Sequence, residues 1–435
     1  NAHVPVSLEP WEDSPSDNLE EENYYKDLFI CKNKGDVLFT KSITNNYLII
    51  KIEPTTFAVV NPSSITVYGK YDKQKAIIKI AQSPDTSKPL EYELTENGRA
   101  AFSGFFNLMQ NGLGYLQTIE AYYTQSWQPE ATGYPWNEYY AHTITSLTSP
   151  LNEAFGACYV PFRHIKLIEE NLEEENNGLG AGLNFIESIL YYEMITLWEN
   201  VPYMTHAATY PFDEYPQMPR KELVETLMLK LLNCIDVFGQ VKTNPTTDIN
   251  SAIFPSRNGP LVMLARLSMM NAKWNEARHY LEQVVASNQY SLEASRAAAL
   301  TKNSNELIYS FLSGNDLYTR VIEKNETLPG ITYTEVYLTL AELCGLVGDN
   351  AKATDYLNTV IKAKGYNISV TSGNYRSVLT DLWKSELKGT GTYFEYLKRN
   401  NLAEIELNIE SFRKILPFPR QEIDANPNLV QNPGY

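Results

Sequence analysis

The stretch Leu264-Ala-Arg-Leu-Ser-Met-Met-Asn-Ala-Lys-Trp-Asn-Glu-Ala-Arg-His-Tyr-Leu-Glu-Gln-Val-Val285 returns 76 residues later as Leu340-Ala-Glu-Leu-Cys-Gly-Leu-Val-Gly-Asp-Asn-Ala-Lys-Ala-Thr-Asp-Tyr-Leu-Asn-Thr-Val-Ile361. Leu264 aligns with Leu340, Ala265 with Ala341, Leu267 with Leu343, Ala277 with Ala353, Tyr280 with Tyr356, Leu281 with Leu357 and Val284 with Val360. In the second half of each copy the apolar residues recur at i, i+3, i+4, i+7 and i+8, one face of a helix. Small residues at Ala265 and Ala277 allow two antiparallel helices to approach closely. Each copy therefore predicts a tetratricopeptide-like helical hairpin that buries its face against neighbours. The offset exceeds two units of about 34 residues, which places an insertion, rich in Asn, Ser and Tyr, between the copies at Gln289 to Gly330.

Outward from this repeat, helical periodicity runs from Asn97 to about residue 410, including Asn184 to Trp198, Lys221 to Phe238 and Gly259 to Ala286. Before it the period changes to two. Tyr47-Leu-Ile-Ile-Lys-Ile52, Ser64-Ile-Thr-Val-Tyr68 and Ala76-Ile-Ile-Lys-Ile80 are short, β-branched and separated by Pro, Asn and Gly. The expected organisation is an acidic tether over 1–27, with Pro5, Pro10 and Pro15; a small β-rich, sandwich-like domain over 28–96, packed as a separate unit; and a mainly α body over 97–435 with irregular loops.

Composition excludes several classes. With 52 acidic and 36 basic side chains the formal charge is −16, the wrong sign for neutralising phosphates, so nucleic acid is not an expected partner. The same sign argues against polybasic attachment to anionic lipid. Apolar runs are broken by charge before the roughly 20 residues that a spanning helix needs. The chain starts at Asn1 without an initiator Met or hydrophobic leader, so it is expected to be a mature or trimmed form whose targeting segment is absent. Cys31, Cys158, Cys234 and Cys344 form no C-x-x-C pair; the last three sit in apolar helical stretches and are expected to be buried thiols.

Three segments together carry a family resemblance. Ile415-Leu-Pro-Phe-Pro-Arg-Gln-Glu-Ile-Asp-Ala-Asn-Pro-Asn-Leu-Val-Gln-Asn-Pro-Gly-Tyr435 closely resembles the terminal signature of SusD/RagB proteins. Leu190-Tyr-Tyr-Glu-Met-Ile-Thr-Leu-Trp-Glu-Asn-Val-Pro-Tyr-Met-Thr205 resembles that family's helix ending in a tryptophan-glycine-aspartate-valine-proline turn, and Ser304-Asn-Glu-Leu-Ile308 its asparagine-glutamate-isoleucine strand. The resemblance covers about residues 100 to 435 and departs in two places. Thr392-Tyr-Phe-Glu-Tyr-Leu-Lys-Arg399 stands where the family has an arginine- and glutamate-rich segment with an aspartate-leucine pair, and the β-rich stretch is not typical of it. The resemblance implies a surface-exposed outer-membrane lipoprotein, attached to the membrane only through a lipidated cysteine upstream of Asn1. It also implies a SusC-like TonB-dependent transporter as partner and an oligosaccharide or polysaccharide as ligand.

A glycan receptor needs aromatic faces for sugar C–H groups and nearby amides or acids for hydroxyls. The densest candidate is Tyr122 to Tyr140, made a loop by Pro129, Gly133 and Pro135. Within it Trp127, Tyr134, Trp136, Tyr139 and Tyr140 are expected glycan-binding residues, and Tyr309, Tyr318 and Arg320 from the insertion are expected to complete the platform. Replacing Trp127 and Trp136 by Ala is expected to weaken oligosaccharide binding and leave the fold intact. Trp198 and Trp274, at helix ends, are expected in the core.

No H-E-x-x-H, G-x-S-x-G, Walker or Rossmann pattern occurs, and His3, His142, His164, His206 and His279 are isolated. Acidic neighbours such as Glu169-Glu170 do not by themselves place two carboxylates across a sugar. No catalytic role, metal or cofactor is expected. Glycan binding is the leading expectation, with a RagB-like peptide receptor, a helical-repeat protein scaffold and a glycosidase as competing readings.

Overall fold

The computed structural model describes residues 96–435 apart from 132, 171–176, 208–214, 240–241, 243–254, 302–303 and 311–329, and, before them, the backbone of six strands. The strands are β1 (Leu28–Phe29), β2 (Val37–Lys41), β3 (Tyr47–Lys51), β4 (Thr56–Asn61), β5 (Ser64–Gly69) and β6 (Lys73–Lys79). They form two three-stranded antiparallel sheets, β1-β2-β3 and β4-β5-β6. The β-branched runs thus become strands, as their period requires. The acidic segment over 1–27 and Cys31 lie outside the described residues.

Helix α1 (Glu96–Tyr123) opens the body and is followed by α2 (Trp136–Tyr140), α3 (Leu151–Glu169) and α4 (Asn177–Trp198). From Phe185 to Trp198 every residue of α4 is buried, Glu187 and Glu193 included, so the helix is covered on all sides. A short ribbon, β7 (Val201–Pro202) with β8 (Gln217–Met218), leads to α5 (Arg220–Val237). Among the described residues no helix is long and apolar enough to cross a membrane.

The repeat forms two hairpins: α6 (Asn258–Met270) with α7 (Trp274–Ala286), and α9 (Tyr333–Leu346) with α10 (Asn350–Lys364). Ala265, Ala277, Ala341 and Ala353 are all buried at the helix contacts, so the aligned small residues do set the close approach. Start signals are local. The Thr332 hydroxyl accepts from the Glu335 amide at 3.4 Å, and the Asp349 carboxylate accepts from the Lys352 amide at 3.1 Å, each satisfying a first-turn donor. Gly365, at φ 69°, stops α10 in the left-handed region after Lys362 and Lys364. Between the hairpins lie α8 (Arg296–Ala299) and the antiparallel pair β9 (Leu307–Ser310) and β10 (Gly330–Thr332). The chain ends through α11 (Tyr375–Glu386), α12 (Tyr393–Arg399), α13 (Ala403–Glu406) and α14 (Arg420–Ala425).

The aligned positions Arg266 and Glu342 are both buried, and each is held by a two-pronged ion pair. Arg266 donates to both oxygens of Glu335 at 2.7 Å, joining the first hairpin to the second. Glu342 accepts from Arg399 at 2.6 and 2.7 Å and from the Asn400 amide at 2.7 Å, joining the second hairpin to α12. Thr392–Arg399, the segment that departs from the family pattern, carries Glu395, which accepts from Arg220 at 2.6 Å, and Lys398, which donates to the Thr196 carbonyl at 2.6 Å. Its charges therefore tie the C-terminal region onto α4 and α5.

The two longest segments of family resemblance meet in space. The Trp198 indole donates to the Pro417 carbonyl at 2.9 Å, Leu416 N–H donates to the Leu197 carbonyl at 2.8 Å, and the Phe418 ring stacks on Trp198. Asn432 donates to the Leu416 carbonyl at 2.7 Å, and Gln431 both accepts from and donates to the Phe418 backbone. The third segment also has a structural reason. Buried Glu306 accepts from the backbone N–H and hydroxyl of Thr334, from Glu293 N–H and from Lys364, so one carboxylate locks β9 to both helices of the second hairpin. Trp198 is fully buried and Trp274 packs at the core's edge. Cys158, Cys234 and Cys344 are buried free thiols.

Candidate functional site

The loop that follows α1 begins where the helix end splits two tyrosines. Tyr123 turns inward, fully buried, and its hydroxyl donates to the Arg413 carbonyl at 2.6 Å. Tyr122 stays half-buried, and its ring lies flat against Trp136 with centroids 4.9 Å apart and planes 15° apart. Gln125, at φ 56°, reverses the chain, and its side-chain amide donates to the Tyr140 carbonyl at 3.1 Å, closing the loop on α2.

Around the Tyr122–Trp136 stack the surface is polar. Gln125, Gln128, Glu130 and Asn137 are exposed, and Tyr134 is 68% exposed. Burial, then the nearby Glu130 charge, raises the Tyr122 phenol above its ordinary value, so that hydroxyl remains a neutral donor. An exposed phenol ring, a partly open indole–phenol stack, amides and one carboxylate are the parts a sugar ring uses: flat apolar area for its C–H face, donors and acceptors for its hydroxyls.

Several expected site residues do not belong to this surface. Trp127 is only 7% exposed: it stands edge-on to Tyr122 at 5.8 Å, and the backbone of Gly389 passes beside its indole. Tyr139 is fully buried in the core under Trp136, and Tyr309, on β9, is fully buried edge-on to Phe185 at 4.9 Å. All three rings fasten the scaffold, which corrects the expectation that they face a ligand. Tyr140 is half-buried at the edge of α2. Tyr318 and Arg320 lie outside the described residues. Tyr122 was missed in the sequence because adjacent tyrosines at a helix end give no sign of which faces out.

Beneath Trp127 the turn Lys388-Gly-Thr-Gly-Thr392 covers two buried carboxylates. Gly391 has φ 76°, and any Cβ there would run into the Glu193 carboxylate, so both conformation and space demand glycine. Glu193 accepts from Gln117 at 3.0 Å, and Glu120 accepts from Phe394 N–H at 2.8 Å. Loss of hydration raises Glu193 from 4.5 to about 8 and Glu120 from 4.5 to about 7. The folded state then holds a proton on Glu193 that the unfolded chain gives up above pH 4.5. That contribution is complete below 4.5 and is lost as pH rises through about 8. The unfolding midpoint of the Glu193→Gln variant, relative to the parent, should therefore climb between pH 5 and 8, by on the order of a few kcal/mol in free energy. A constant difference across that range would show that Glu193 does not carry the shift.

Among the described residues no group of three His, Cys, Asp or Glu side chains is arranged to hold a metal ion. His142 is engaged at 2.7 Å by the Tyr123 carbonyl, a packing role.

No protein-family model and no curated protein matches the chain. Solved structures do. A laminarin-binding SusD-like protein aligns at TM-score 0.65 and 14% identity, over 79% of this chain and 100% of that one. A SusD superfamily protein from Bacteroides thetaiotaomicron aligns at 0.62 and 16%, over 78% and 99%. Surface glycan-binding protein A from Bacteroides uniformis aligns at 0.59 and 14%, over 77% and 99%. The chain therefore has the SusD-type fold: mainly α, with few short sheets, over a span that takes in nearly all of these neighbours.

Proposed function

We propose that this chain is a carbohydrate-binding protein of the SusD type, and that the surface formed by Tyr122, Tyr134 and Trp136 with Gln125, Gln128 and Glu130 receives the sugar. The observation that carries this reading is the exposed Tyr134 ring, two residues before the Trp136 that stacks on Tyr122, on a fold shared with proteins described as laminarin-binding and glycan-binding. In this reading the protein works by holding its ligand, without chemistry on it. It sits at the cell surface by a lipid anchor, hands an oligosaccharide to a TonB-dependent outer-membrane transporter, and carries residues 28–96 as a distinct β-rich unit.

The test is retention in gels cast with a panel of polysaccharides, laminarin included, with peptides as a parallel arm. Tyr134→Ala should weaken binding by about 1 to 3 kcal/mol, by analogy with other stacked rings, while the unfolding midpoint stays within about 0.5 kcal/mol, as for an exposed site. Retention by no polysaccharide, or unchanged affinity in both Tyr134→Ala and Trp136→Ala, would overturn the reading. Trp127→Ala is expected instead to lower stability by about 3 kcal/mol, because it removes a buried indole.

A further inference from the structure

A cleft of about 450 Å³ opens between α9, α11, α12 and the turn Asn400–Leu402, and no residue of the Tyr122–Tyr140 loop lines it. Its size falls within the range of roughly 300–1,000 Å³ typical of small-molecule sites. The wall is aromatic: Tyr375 packs so closely on α9 that only a glycine fits at Gly345, and the Tyr396 hydroxyl bonds Thr380 at 2.8 Å. Leu346, Leu379 and Leu402 add apolar lining.

Its floor is the Arg399–Glu342–Asn400 cluster. Three hydrogen bonds occupy the Glu342 carboxylate, leaving Arg399 Nη1 as a donor and Asn400 Oδ1 as an acceptor with no partner among the described residues. At the mouth, Arg376, Asp381 and Glu406 are exposed and make no ion pair among the described residues. Arg376 Nε donates to the Tyr375 hydroxyl at 3.0 Å.

The chemistry selects a ligand class. Two arginines face three carboxylates, so the lining lacks the positive excess that a phosphate or polyanion needs. The floor charge is already neutralised, and what remains open is one donor and one acceptor beside the apolar surface of Leu346 and Leu402, with only the edges of the buried Tyr375 and Tyr396 rings in the lining. A polyhydroxylated ring fits that pattern, because each hydroxyl both donates and accepts while its C–H face is apolar. We infer that this cleft is a second saccharide subsite, taking a short neutral oligosaccharide or the end of a longer one. The inference rests on the carbohydrate-binding reading above and adds a site to it.

Ligand-observed NMR with laminaribiose, cellobiose, maltose and chitobiose, each on the full chain, tests the cleft directly. Arg376→Ala and Asp381→Ala alter exposed side chains at the mouth, of which Arg376 bonds only its chain neighbour Tyr375, and far-UV circular dichroism and the unfolding midpoint check their fold. At least one disaccharide should give a saturation-transfer signal whose titration yields a dissociation constant about tenfold higher in both cleft variants and unchanged in Tyr134→Ala, an affinity change of about 1.4 kcal/mol. A signal unmoved by the cleft variants, or lost equally in the loop variant, would overturn the second subsite while leaving the loop reading intact. The absence of any disaccharide signal with polysaccharide still retained in gels would do the same. No disaccharide signal together with no polysaccharide retention would remove both.

Discussion

Replacing Trp198 by Ala should lower the unfolding free energy by about 3 to 5 kcal/mol, the usual cost of truncating a buried large aromatic. The ring is fully buried, edge-on to Phe155 at 5.3 Å and stacked on Phe418. Its indole N–H also satisfies the buried Pro417 carbonyl, so truncation leaves that acceptor unpaired. The damage should spread to the tail, because Leu416, Phe418 and Asn432 are organised around the same turn. Proteolysis after residue 414 should accelerate in the variant. Chemical denaturation checks the main claim: a loss below about 1 kcal/mol would mean that the tail and the turn hold without the ring.

Truncating Glu335 to Ala should cost a similar 3 to 5 kcal/mol, for a different reason. Arg266 is buried, and Glu335 accepts two of its donors; its other contacts are the Gly330 carbonyl, the Met263 sulfur and the face of the Tyr192 ring. Removing the carboxylate strands a guanidinium beneath the contact between the hairpins. Charge and packing can be separated by the paired change Arg266→Met with Glu335→Leu, which removes both charges at similar volume and should recover most of the lost stability. If the pair is as unstable as Glu335→Ala alone, the packing of these side chains, and not the stranded charge, sets the cost.

Much of the body could be read along the chain. Hairpins depend on contacts within one repeat, where apolar spacing and small residues act locally, so Leu264–Val285 and Leu340–Ile361 announced them. Buried thiols followed from the same periodicity, and Trp198, at a helix end, lies in the core as expected, whereas Trp274 stops at the core's edge. The site was less legible. Trp127, Trp136 and Tyr139 fall in one proline-broken loop and look alike in sequence, yet of these three Trp136 alone keeps open surface.

The difference lies in partners far away in the chain. Trp127 is closed by Gly389, and Tyr309 by Phe185. The same holds for charge. Glu193, Arg266, Glu335, Glu342 and Arg399 all lie on helices, and nothing local in the sequence distinguishes a buried charge from a solvated one. By itself, then, the sequence determined the helical class, the repeat and the position of the insertion, because each is written in short-range spacing. Only the tertiary structure decided which aromatics face solvent, which carboxylates keep a proton, and where a cleft opens between α9 and α12, because burial is set by elements that meet across long loops.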